Sequence, residues 1–153
     1  MADYYGKTRT NYFSVTDEEK FRQIIASCGA SDDIVIIDQK QQDGSMKYGF
    51  YCDGSINGLP DRDDDAGNTE DYCEDDDDLD YSYDAFCEAL QKILPDNDAI
   101  MITEIGSEKM RYLTGCCIVI TSADFKCIDI GSEALKLAKT MLKNPDFTTQ
   151  NEY

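Results

Sequence analysis

Carboxylates are the residues of this chain whose types and spacing bear most directly on chemistry. Asp75, Asp76, Asp77 and Asp78 stand in one run, and Asp80, Asp84 and Glu88 follow, every fourth residue. The surrounding segment 61–80, DRDDDAGNTEDYCEDDDDLD, holds twelve acidic residues and one basic one. Its charge is −11 of a total of −18, which leaves −7 for the other 133 residues. Four kinds of chemistry compete for such a segment. The simplest is a solvated loop, in which Asp78 and Asp80 complement the dipole of the next helix. A calcium loop of the EF-hand type needs Gly at its sixth position and Glu at its twelfth. Counted from Asp61 these are Ala66 and Tyr72, so the segment departs from that signature. A catalytic carboxyl pair needs two environments that hold its pKa values apart, and tandem aspartates share one. The fourth is electrostatic imitation of a nucleic acid. A duplex presents one charge per about 1.7 Å of axis, and a protein that copies it must crowd carboxylates despite their repulsion. Asp80, Asp84 and Glu88 fall in a row on a helix and continue the Asp75–Asp78 block, at about 0.2–0.5 kcal/mol per like-charged pair. Tyr72, Tyr81 and Tyr83 are interleaved and offer amphipathic contact area to a partner.

The chain has no histidine. Ser-His-Asp and Cys-His nucleophile systems, His-based zinc sites and imidazole bases are therefore excluded. Seven cysteines are present: Cys28, Cys52, Cys73, Cys87, Cys116, Cys117 and Cys127. Their number is odd, none forms a C-x-x-C pair, and most stand in apolar runs. Cys116 and Cys117, adjacent on a strand, point to opposite faces and do not chelate. These features, with an N-terminus lacking an apolar leader, imply buried free thiols in a reducing cytoplasm. The best cysteine for catalysis is Cys87, just inside a helix, but Asp84 and Glu88 raise a thiol pKa there; Cys28 sits at a helix C-terminus, where the dipole has the wrong sign. No metal, cofactor or enzymatic activity is expected. The net charge opposes nucleic acid and anionic membranes as direct partners and suits a basic protein surface.

The elements that must position these residues follow from periodicity. Residues 1–9 read as a flexible arm, 10–144 as one domain with the acidic linker 61–80 inside it, and 145–153 as a tail. NYFSV (11–15) reads as a short strand. TDEEKFRQIIASCG opens a helix with Thr16 and Glu19 as a capping box, an apolar stripe of Phe21, Ile24, Ile25 and Cys28, and Gly29 as its stop. DDIVIIDQK and MKYGFYCDGSI are strands joined by a turn at Gly44. In the second strand Tyr51 falls opposite Tyr48 and Phe50. After the acidic segment the pattern recurs. SYDAFCEALQKIL is a helix with Phe86, Ala89, Leu90 and Ile93 on one stripe, and AIMITEIG and MRYLTGCCIVITS are its hairpin. Phe21 precedes Asp33 by twelve residues and Phe86 precedes Asp98 by twelve; Met46-Lys47-Tyr48 matches Met110-Arg111-Tyr112. This is a degenerate repeat of two αββ units. DFKCIDI and SEALKLAKTMLK, stopped by Pro145, end the order β-αββ-αββ-βα. The expected fold is α+β: a mainly antiparallel sheet of about six strands with three helices on one face.

TNYFSVTDEEKFRQII, DGSMKYGFYCDGSI, GSEKMRYLTGCCIVITS and NPDFTTQNEY resemble a largely uncharacterised family of small acidic proteins encoded on plasmids and conjugative elements of Gram-positive bacteria. The resemblance covers nearly all of the chain after residue 9 and carries no catalytic signature. It implies a mobile-element setting, where acidic anti-restriction and anti-CRISPR proteins occur, some of them DNA mimics. The expectation from residues and resemblance together is a non-enzymatic acidic binding protein. It would block the basic, nucleic-acid-binding surface of a host defence protein with Asp75–Asp78, Asp80, Asp84, Glu88, Tyr81 and Tyr83. The alternative is an interaction domain that binds its partner through the sheet surface, with the acidic segment merely solvated.

Overall fold

The computed structural model describes residues 4–60, 80–108 and 112–148. Its elements are β1 (Tyr4–Thr10), α1 (Glu18–Ser27), β2 (Gly29–Ala30), β3 (Val35–Lys40), β4 (Met46–Asp53), β5 (Ile56–Pro60), β6 (Tyr81–Ser82), α2 (Tyr83–Lys92), β7 (Ile100–Glu108), β8 (Tyr112–Ile120), β9 (Phe125–Asp129) and α3 (Ile130–Leu142). The fold class is the expected α+β. Six strands form one antiparallel sheet in the order β3-β4-β1-β7-β8-β9, and a small second sheet joins β2, β5 and β6. The repeat is visible as two helix-plus-hairpin units, α1-β3-β4 and α2-β7-β8, placed on either side of β1.

The expected flexible arm is corrected by this strand. Residues 4–10 form β1, the sheet's third strand, paired to β4 on one side and β7 on the other. Its inward residues are Thr8 and Thr10, both buried. Their hydroxyls are satisfied: Thr8 Oγ1 donates to the Gly54 carbonyl at 2.7 Å, and Thr10 Oγ1 accepts from the Phe50 amide at 3.0 Å. Residues 11–15, expected as the first strand, make a single bridge instead. Phe13 exchanges both backbone hydrogen bonds with Tyr48 at 2.8 Å and drives its ring into the core.

The core is aromatic. Phe13, Phe21, Phe50 and Phe86 are fully buried. Phe50 meets Phe13 at 6.3 Å, Phe21 at 6.3 Å and Phe86 at 6.1 Å, within the range favoured by ring quadrupoles. Phe21 and Phe86, the matched residues of the two units, thus converge on one ring. The stripe residues Leu90 and Ile93 are buried beside them, and Thr16 ties the two helices together by donating its amide to the Ile93 carbonyl at 2.8 Å. That use of Thr16 replaces the expected capping box: the N-cap of α1 is Asp17, which accepts from the Lys20 amide at 3.1 Å. Gly29 also has another role than ending α1. It lies in β2, where a Cβ would run into the ring of Tyr81. Gly44 takes positive φ in the β3–β4 turn, as expected.

The third helix departs from a one-sided arrangement. Cross-strand partners share a face, so core-facing Ile100 and Ile102 place Ile120 and Ile118 inward. Thr103, Gly115, Cys117 and Ile128 then project from the other face. It is there that Ile130 of α3 covers Gly115. Helices α1 and α2 cover one face; α3 lies across β8 and β9 on the outer one. Asp129, the last residue of β9, is itself the N-cap of α3, so no connecting loop exists to carry α3 round to the core side.

Candidate interaction surfaces

Two regions stand out. The first is where β5 and β6 flank the acidic segment. Leu59 pairs with Ser82 and Pro60 with Tyr81. Pro60 and Tyr81, which flank residues 61–80 in sequence, are thus paired on the side covered by α1 and α2. Asp75, Asp76, Asp77 and Asp78 lie outside the described residues, as do Tyr72 and Cys73. Asp80 is exposed but precedes β6 and is not helical, so the expected row of three on α2 reduces to Asp84 and Glu88. Both are exposed on α2, and among the described residues neither enters an ion pair. The two tyrosines part company. Tyr81 is 40% exposed, with its ring against Gly29. Tyr83 turns inward onto Phe86, at 5.7 Å between rings, and burial pushes its phenol pKa up. Tyr83 is thus half-buried against the core, leaving only part of its ring for the partner contact expected of it.

The thiols follow the same division. Cys87 is fully buried and its thiol is pushed up to about 12, by burial first and by Asp84, Cys127 and Glu88 after it. Burial likewise lifts Cys28 to about 11. Neither is a nucleophile at neutral pH. Cys116 faces inward and Cys117 outward, where Thr103 Oγ1 donates to its sulfur at 3.5 Å. Among the described residues every cysteine is a free thiol, and Cys127 is the exposed one. No cluster of His, Cys, Asp or Glu among the described residues has the makings of a metal site. No described helix is long and apolar enough to cross a membrane.

The second surface is the outer face of the sheet, which pattern reading located only through Tyr51. Tyr48 and Phe50 are buried, while Tyr51 on the same strand is exposed. Along β1 the outward residues are Tyr5, Lys7 and Arg9. Lys7 pairs with Asp53 on β4 at 2.9 Å. Met101 and Ile105 extend the face along β7, Leu113 along β8 and Ile128 along β9. A hollow of about 720 Å³ runs between Arg9, Tyr51, Met101 and Ile105, and one of about 750 Å³ between Tyr5, Lys7, Ile105 and Leu113. A third, of about 360 Å³, separates Leu137 and Ala134 of α3 from Cys117 and Ile128 beneath. Among the described residues twelve large hydrophobic side chains are exposed, and all but Tyr81 belong to this face or to α3. The signal available in the sequence was alternation on β7: IMITEI is apolar in both phases, one more than a one-sided sheet needs.

The outer face carries a local excess of positive charge. The outward side chains of the six strands include Lys7, Arg9, Lys47 and Lys126 against Asp53, and α3 carries Lys136 and Lys139 against Glu133. That is +4, so the rest of the −18 chain bears −22. No protein-family model matches the chain, and no curated protein and no solved structure proves similar to it.

Proposed function

We propose that this chain is a non-enzymatic binding protein whose recognition surface is the outer face of the six-stranded sheet together with α3. One observation carries the reading: eleven of the twelve exposed large hydrophobic side chains among the described residues gather there. Soluble domains rarely gather so many exposed large hydrophobic side chains on one side without a partner for them. Lys7 and Arg9, on the central strand β1, place positive charge among these side chains, and Lys126 adds charge on β9. The raised thiols of half-buried Cys28 and buried Cys87, protonated at neutral pH, speak against either as a nucleophile. Retention of proteins from a lysate by wild type, Ile105→Glu and Leu137→Glu tests the reading. Partners lost with both variants support it; partners kept by both remove it.

A second reading has its own observation. Pro60 and Tyr81, which flank the twelve carboxylates of 61–80 in sequence, are paired near exposed Asp84 and Glu88. Such a charge suits a basic, nucleic-acid-binding surface on a defence protein, held by charge and weakened by salt. Replacing 61–80 by a neutral Gly/Ser segment discriminates. Binding that survives belongs to the sheet face; binding that vanishes belongs to the acidic segment.

A further inference from the structure

We infer that the outer face and α3 dock a second copy of this chain, so that the protein is a face-to-face dimer. The inference rests on the sheet-face reading and names its occupant. Helix α3 supplies the first argument. It has thirteen residues, none of them buried, and Ile130, Leu137, Met141 and Leu142 are all more than half exposed. A helix of that length is marginal in water unless an apolar face is covered, and its own sheet covers little of it.

Area supplies the second. Strands β3, β4, β1 and β7 leave a patch roughly 19 Å wide at about 4.8 Å per strand and about 17 Å long over five residues. The helix adds about 20 Å by 10 Å. The flat projection is near 500 Å² per copy on these dimensions, and two copies then bury about 1,000 Å², the lower bound for a specific interface.

Electrostatics supplies the third. Two bodies of charge −18 repel, and contact through any acidic surface costs most. Contact through the outer face, which with α3 carries +4, keeps the exposed Asp84 and Glu88 of the two copies apart, because α2 covers the other side of the sheet. A two-fold arrangement also lets Asp53 of one copy approach Arg9 of the other, since a self-complementary contact is made twice.

Sedimentation velocity on the full chain, from about 1 to 200 µM and in about 50 and 500 mM NaCl, tests this. The expected result is a dimer that tightens about threefold or more at the higher salt, because screening removes repulsion and leaves the apolar contact. Ile105→Glu and Leu137→Glu should each weaken it at least about tenfold with unchanged circular dichroism; both side chains are exposed within one copy, at 54% and 60%. A monomer at every concentration overturns the inference. So does a dimer that ignores both variants. Association that weakens with salt also overturns it, marking an acid-to-base contact instead. The underlying reading is judged apart. A monomer whose lysate partners are lost with Ile105→Glu keeps the sheet face as a recognition surface and loses only the second copy; a monomer whose partners are indifferent loses both.

Discussion

At the scale of single residues, burial decides more than residue type. Cys87 is polar enough to read as a stripe-edge thiol beside two acids, yet it is fully buried. The adjacent Asp84 and Glu88 were readable as forces that raise its pKa; the larger cause, desolvation, needed the packing of α2. Iodoacetamide at pH 8 should label Cys127 in the folded protein and leave Cys87 untouched, as read by peptide mass spectrometry. Rapid labelling of Cys87 would mean the helix opens there. The raised thiols also set a pH dependence. A group whose folded pKa lies above its unfolded value contributes stability that is complete below the unfolded pKa, near 9 for Cys87 and Cys28. That contribution is lost as pH rises toward the folded values. Urea denaturation should show stability level from pH 7 to 8.5 and falling from 9 to 11, and Cys28→Ala with Cys87→Ala should flatten the fall from a lower plateau. Gly58 makes a sharper demand. Its φ is +112° and a Cβ would strike the Ser82 backbone. Gly58→Ala should therefore cost about 3 kcal/mol, because the β5–β6 pairing must separate.

At the scale of elements, strong apolar periodicity was readable and weak periodicity was not. The stripes of α1 and α2 follow from Phe21, Phe86, Leu90 and Ile93 alone, since each is large and recurs at helical spacing. Strand β1 had no such signal. Its inward side chains are two threonines and its outward ones are Tyr5, Lys7 and Arg9, so it read as an arm. What makes it central is pairing on both edges and the β-branched fit of Thr8 and Thr10. The side taken by α3 was equally hidden, because its amphipathic pattern says that one face is covered but not by which side of a sheet. The small sheet of β2, β5 and β6 escaped for a related reason: β2 and β6 have two residues each, too few for any period. A substitution at the α1–sheet contact tests the aromatic core. Phe21 touches Phe13, Tyr48 and Phe50 within 6.3 Å. Phe21→Ala should lose about 4 kcal/mol in chemical denaturation, while Phe21→Leu should lose less than half of that. Equal losses would mean that the ring contributes contacts no aliphatic side chain replaces.

At the scale of the whole molecule, the exposed hydrophobics gather on one side of the sheet, and the Pro60–Tyr81 pair that flanks the acidic segment in sequence lies on the other. The sequence showed where the acid was, but not that the basic residues of β1 and α3 shared a face with the exposed hydrophobics. That follows only from the register of six strands, in which a one-residue slip would turn each side chain over. The acidic run gives the closing test. Asp75–Asp78→Asn reduces the charge from −18 to −14. Self-repulsion then falls, and melting should rise by a few degrees in about 20 mM salt and by much less in 500 mM, where the Debye length is already short. Dimerisation should tighten in the same variant at low salt, since each copy repels the other less, and the two curves should converge at high salt. A charge-held partner on the acidic segment would respond in the opposite sense, weakening in the variant at low salt. Calcium separates the remaining case. If the run were a shaped cation site, micromolar calcium would raise the wild-type melting temperature through binding to the folded state and leave the variant unmoved. Equal melting in calcium and in chelator for both proteins is the outcome expected of carboxylates that share one solvated environment and act only through their summed charge.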